Sequence, residues 1–287
     1  MLHLLRAKGR RLAACSLPVL TALVVLAPSA DAGSGANFVT YNHHTADKGE
    51  FEVKLLTDVS NGNGSDYYAQ LVELEYGFTD RWTAALYFEG VESEGSGYEF
   101  GGWRFENRLR LFDYGAFPLN PVLYAEYEEL EPEHRYKRAV TGRAGEEEGE
   151  EEEEGTEHEL ELKLLLGQDI GDRIDVAFNW ISEVNLDTGA WEHGYAMGLN
   201  YVLFETEGSG RHSWALKEVK LGLELFGGLG DSEEGLTLDP DETEQYAGLN
   251  LKGEFANGFE AGLGGAFGLT GHSEDAILRM MLGYEFD

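Results

Sequence analysis

The chain has 287 residues, with 54 Asp+Glu against 21 Lys+Arg and a formal net charge of −33. So acidic a composition excludes nucleic acid as a partner, because that binding depends on Lys and Arg neutralising phosphates. After residue 32 no segment approaches 18 consecutive apolar residues, which excludes a helical membrane protein.

The N-terminus reads as an export signal. Arg6, Lys8, Arg10 and Arg11 form a basic region, Leu12 to Ala27 is mostly apolar, and Ala30-Asp31-Ala32 offers a small-x-small cleavage site before Gly33. Residues 1–32 are therefore expected to be a signal peptide cut after Ala32. Pro18 makes the run a poor membrane span. Leu12-Ala13-Ala14-Cys15 matches a lipoprotein box, but the apolar run follows Cys15 instead of preceding the box, which argues against a lipid anchor. Cleavage leaves 17 positive and 53 negative side chains and no cysteine. An exported chain without disulfides holds itself by core packing or by a closed sheet.

Residues 33–49 carry no apolar periodicity and read as a short periplasmic lead-in. Within it, His43-His44 could bind a metal weakly, but the simpler expectation is a pair of solvated loop histidines. No metal site and no cofactor are expected.

From residue 50 the chain is a series of alternating segments of about ten residues, the period-2 pattern of strands with unlike faces. Their apolar faces are marked in turn by Phe51–Thr57, Tyr68–Phe78, Trp82–Phe88, Trp103–Leu111, Leu123–Tyr127, Leu160–Leu166, Ile174–Trp180 and Tyr195–Leu203. Val219–Leu225, Ala247–Phe255, Phe259–Phe267 and Ala276–Phe286 complete the set. Twelve is even, as suits a single-chain bacterial barrel. Connection lengths follow parity: turns at 79–81, 113–120, 168–172, 205–217 and 256–258 alternate with Gly/Ser/Asp/Glu loops. Among those loops are an acidic insertion at about 130–157 and an acidic loop at 230–244. The expected fold is an all-β, membrane-spanning, antiparallel up-and-down barrel over residues 50–287, located in the cell outer membrane.

The last segment, Ala276 to Phe286, puts Ala276, Leu278, Met280, Leu282, Tyr284 and Phe286 on one face and Arg279 and Glu285 on the other. It resembles the terminal strand of Gram-negative outer-membrane barrels, which close on a Tyr-x-Phe signal read by the assembly machinery. Asp287 departs from that pattern. Gly102-Trp-Arg-Phe-Glu-Asn-Arg-Leu-Arg-Leu-Phe112, Asn120-Pro-Val-Leu-Tyr-Ala-Glu-Tyr-Glu128 and Glu75-Tyr-Gly-Phe-Thr-Asp80 are similar to outer-membrane barrels of the porin or "transporter" type. The resemblance implies a fold and a location, in a group without an established substrate.

Three places could carry function. Arg104, Glu106, Arg108 and Arg110 lie beside Tyr124, Glu126 and Glu128, with Lys163 and Arg279 on other inward faces. Such rows either select solutes in an open lumen or pair across strands and fill a narrow one; both readings stand. Glu150, Glu151, Glu152, Glu153 and Glu154 form a like-charge block that reads as a solvated loop, with diffuse cation binding as the alternative. His212-Ser213 and His272-Ser273 are the candidates for a phospholipase-like enzyme. Neither pair lies on a strand face, and no G-x-S-x-G, H-E-x-x-H or phosphate loop occurs, so no enzyme is expected. The favoured function is a porin-like channel for small solutes, charged ones among them. The alternative is a closed barrel with a surface role in its loops, adhesion or diffuse cation binding. Outer-membrane lipid is the expected partner, and the oligomeric state stays open.

Overall fold

The computed structural model describes residues 35–61, 67–93, 97–131, 140–144, 156–206 and 214–286. The proposed signal peptide, Cys15, His212-Ser213 and Glu150–Glu154 lie outside the described residues. The strands are β1 (Phe51–Asn61), β2 (Tyr67–Thr79), β3 (Trp82–Ser93), β4 (Gly97–Arg110), β5 (Val122–Leu130), β6 (Glu157–Ile170) and β7 (Ile174–Asn185). They continue with β8 (Trp191–Glu205), β9 (Leu216–Asp231), β10 (Gly235–Leu236), β11 (Gln245–Phe255), β12 (Phe259–Gly268) and β13 (Ala276–Phe286).

All pairings are antiparallel. β10 is a two-residue addition to the end of β9. The other twelve pair with their neighbours in chain order, and the ring closes between β13 and β1. The closing register runs from Phe51↔Phe286 through Val53↔Tyr284 and Asp58↔Arg279 to Asn61↔Ala276. Closure matters because it leaves no strand edge with unpaired backbone groups, the condition for a sheet to cross lipid.

The burial pattern is that of a water-soluble protein turned inside out. Along β1 the acidic and basic residues Glu52, Lys54 and Asp58 are buried, while Val59 on the opposite face is exposed. The same holds around the ring: Val72, Phe88, Leu109, Leu123, Leu164, Met197, Leu223, Leu249, Leu263 and Leu278 all face outward and exposed. A contiguous apolar belt of this kind is stable only against lipid. Aromatics rim it at the short-turn end. Phe78 stacks on Trp82 at 4.6 Å, Phe51 meets Phe286 at 5.6 Å, Tyr284 meets Phe286 at 4.7 Å, and Trp214 meets Phe259 at 5.4 Å. Amphipathic rings at that level anchor a barrel at the membrane interface.

The expected strands are all present, and most run longer than their apolar faces mark, as β9 does from Leu216 to Asp231. The stretch 89–102, expected as a loop, is mostly strand, because β3 and β4 stay paired out to Ser93↔Gly97. A register shift at Glu89/Gly90 lets the ladder continue beyond the apolar belt.

Candidate functional site

The lumen is occupied. Residues 35–48, expected as a lead-in outside the barrel, run inside it, and Phe38, Val39, Thr40, Asn42, His43, Thr45 and Ala46 are buried. The segment has no strand partner, so each of its buried backbone groups needs another acceptor or donor. Inward side chains supply them. Glu224 on β9 accepts from the backbone N–H of Phe38 at 2.6 Å, Val39 at 3.1 Å and Thr40 at 3.2 Å, and from the Thr40 hydroxyl at 3.1 Å. Three successive N–H groups converging on one carboxylate form an anion nest. Asn179 on β7 pairs with Tyr41 as a strand would, accepting from its N–H at 2.7 Å and donating to its carbonyl at 2.8 Å. Asn200 accepts from Ala36 N–H, Thr83 from Ala46 N–H, and Arg279 donates to the Phe38 carbonyl at 2.7 Å.

Close approach of this segment to the wall requires that side chains be missing there. A Cβ added at Gly198 would collide with Asn37, one at Gly222 with Ala36 and Asn37, and one at Gly264 with Phe38. Inward glycines on β8, β9 and β12 therefore form the groove in which the segment lies. Its apolar contacts complete the seat: Phe38 and Val39 cluster with Ile181, Ala196, Phe226, Tyr246 and Ala266, and Val140 packs on the same cluster. Val140 belongs to a second inward piece, 140–144, held by Gly142↔Gly230 and by Arg143 on Asp231 at 2.7 Å.

The other sector of the wall is charged. Arg104 meets Glu89 and Glu128, each at 2.9 Å, and Arg108 meets Glu106 at 2.7 Å and Glu75 more closely. Glu106 also accepts from the hydroxyls of Tyr87 at 2.7 Å and Tyr41 at 2.8 Å. Lys163 meets Glu161 at 2.7 Å and lies 4.4 Å from the Tyr124 ring. Arg110 donates to the carbonyls of Asp80 and Phe112 and covers the Tyr114 ring at 3.6 Å. Arg279 pairs in two-pronged fashion with its cross-strand neighbour Asp58. All nine of the inward residues singled out from the sequence are thus buried and partnered, apart from any role in selection. Glu126 lies 3.9 Å from Arg104. Glu285, read as a lumen residue, is exposed instead, because it is the second-last residue of β13 and lies at the rim.

Carboxylates outnumber cations inside. Among the described residues, fifteen buried Asp and Glu stand against eight buried Lys and Arg. The excess concentrates on β5–β7, where Glu126, Glu128 and Glu161, and Glu128, Glu159 and Glu183, bring oxygens within 4.8 Å of one another. A cavity of about 120 Å³ remains beside the lumen segment, bordered by Lys54, Glu73, Glu75, Arg108, Lys252 and Arg279. It has room for several water molecules.

The histidines are not solvated. His43 is fully buried, and burial pushes its imidazole below the ordinary value against the opposing pull of Asp169. Elsewhere, His272 faces the Asp241 carbonyl at 3.1 Å while Ser273 donates to the Gln245 carbonyl at 2.9 Å. The two side chains engage different partners and make no nucleophile–base pair.

Glu224, Asn179, Asn200 and Thr83 were not singled out by sequence. The signal was there in two forms: uncharged amides interrupting charged inward rows, and glycines sharing those inward faces.

No family model matches this chain, and no curated protein sequence matches it. Among solved structures, an outer-membrane channel from Pseudomonas putida F1 is similar at 15% identity, covering 84% of this chain and 97% of its own, with a TM-score of 0.50. The KdgM porin in complex with disordered oligogalacturonate aligns at 7% identity over 82% and 98%, TM-score 0.46. The NanC porin aligns at 8% over 82% and 98%, TM-score 0.45. At such identities the likeness concerns the fold alone. The closed ring and the lipid-facing belt, with the fold shared with the Pseudomonas putida structure, define the class: a twelve-stranded antiparallel β-barrel of the outer-membrane type.

Proposed function

We propose that this barrel is a gated passage for small, positively charged solutes, closed in the state described by residues 35–48. The observation that carries this reading is how the segment is held. It is fastened by side chains to its backbone, through Glu224, Asn179 and Arg279, and not by strand pairing, so it can leave without breaking the barrel ladder. Its departure would expose the carboxylate excess of the wall, and a ring of charge favours the opposite sign. The chain would reach the membrane by losing residues 1–32 and would be delivered to the assembly machinery by β13. Carriage of solute needs no catalytic group, and none is assigned.

Single-channel recording in planar bilayers tests this. Full-length folded protein should give rare or small steps, and a variant lacking 35–48 should give large, stable, cation-selective ones. Absence of steps from the deletion variant, with the barrel folded, would remove the passage. That outcome would favour the second reading, a closed barrel with its role in the loops, which the packed lumen also supports.

A further inference from the structure

His43, His44 and Asp169 meet where the lumen segment passes the end of β6. His43 Nε2 lies 3.2 Å from Asp169 Oδ2, and His44 Nε2 lies 3.3 Å from Asp169 Oδ1. The two imidazoles are held side by side, ring centroids 4.2 Å apart, with the Tyr114 ring at 5.9 and 5.4 Å. One ring nitrogen of each histidine and a carboxylate oxygen fall within 4.8 Å of one another.

These separations lie at the long limit of N–H···O hydrogen bonds, which run about 2.7–3.2 Å. They match another geometry. Ligand atoms about 2.0–2.1 Å from a tetrahedral ion stand about 3.3 Å apart, the spacing expected at a zinc centre. We propose that His43, His44 and Asp169 form a site for a divalent transition ion of the zinc type, which ties the lumen segment to the barrel wall.

The donor set fits. Two imidazoles and one carboxylate are ligands that zinc takes readily, and three protein ligands leave one position for water. His43 is rigid, because it is wholly buried against Gly167. Asp169 keeps a side-chain exposure of 27% and His44 of 12%, which gives an ion a way in. The arrangement also accounts for two adjacent histidines on a chain segment held mostly through its backbone. A tie between residue 43 and residue 169 closes the segment onto a strand from which its ladder is otherwise free. The inference rests on where 35–48 lies and not on whether the barrel conducts.

Cobalt(II) titrated into the folded full-length protein in detergent is the test, read by its visible d–d absorption and by displacement with zinc. One equivalent with the intense band of a four-coordinate centre is expected. Outer-shell contacts alone are worth about 10–100-fold in metal affinity, so His44→Ala and Asp169→Asn should each weaken binding by at least about a hundredfold. Both side chains are partly exposed, so these variants keep the test open if His43→Ala fails to fold; heat-modifiable migration on gels reports folding. Absence of the band in the unaltered protein overturns the proposal. So does a band unchanged in both variants, which would put the ion on the carboxylates of β5–β7 or the acidic insertion.

Discussion

The two sides of the lumen solve the same problem differently. On β2–β6 the wall fills its own space: Arg104, Arg108 and Lys163 reach across strands to Glu89, Glu128, Glu75, Glu106 and Glu161. On β7–β12 the wall is hollowed by glycine and studded with Asn179, Asn200, Glu224 and Asn250, and another piece of chain fills the gap. The first side needs long charged side chains and closes by ion pairing. The second sets glycine and short side chains around the segment and closes by hydrogen bonds to its backbone, while Lys220 and Lys252 pair with Glu218 and Glu260 farther along the same strands. Only on the second side does a separate piece of chain fill the space, so the opening proposed above would take place there; it would leave Glu224 with Asn250 in place of the three N–H groups of Phe38, Val39 and Thr40. Tyr41 joins the two, with its backbone on Asn179 and its hydroxyl on Glu106.

Perturbing each side should have distinct effects. Removing 35–48 should have the largest, raising unitary conductance from near closure to that of an open barrel. On the charged side, Arg104→Glu should destabilise the fold by about 3–5 kcal/mol, because it removes the cation that meets Glu89 and Glu128 at 2.9 Å and buries a further carboxylate beside them. Chemical denaturation of the detergent-folded barrel measures this, and in the deletion background the reversal potential should move further toward cations. On the hollow side, Glu224→Ala strands three backbone N–H groups, each worth about 1–3 kcal/mol when buried without an acceptor. Hydrogen exchange at residues 38–40 should then quicken while the strands stay protected. Smaller still, and indifferent to the comparison, Leu251→Arg on the lipid face should cost up to about 2–4 kcal/mol if it lies at mid-membrane. Its effect should be on stability, with conductance unchanged.

The barrel was legible because each strand writes its two environments in alternation. Pairing of the last strand with the first, Phe51–Thr57, followed from an even set of antiparallel segments, and the register that the pair adopts is Phe51 opposite Phe286. The inward rows were legible for the same reason, and their pairing was one of the two outcomes the charges allowed. The lumen segment was not, since it has no periodicity of its own and its bonds join residues far apart: Tyr41 to Asn179 spans 138 positions and Phe38 to Glu224 spans 186. What marks it lies on the partner strands, in Gly198, Gly222 and Gly264, where an inward side chain would be expected and none is present. Glu285 was misplaced because alternation tells which face a residue takes, and not whether the barrel still encloses that level.

In the closed state proposed above, residues 35–48 fill the lumen by lying in the groove of β8, β9 and β12. Asn37→Cys combined with Gly198→Cys puts two thiols where the Asn37 side chain now meets the glycine, in a chain whose only native cysteine lies in the proposed signal peptide. Single-channel recording under oxidising and then reducing conditions is the direct test. A disulfide should form and hold the barrel closed, and openings should return on reduction. Failure of the disulfide to form, or identical currents before and after reduction, would contradict this closed state.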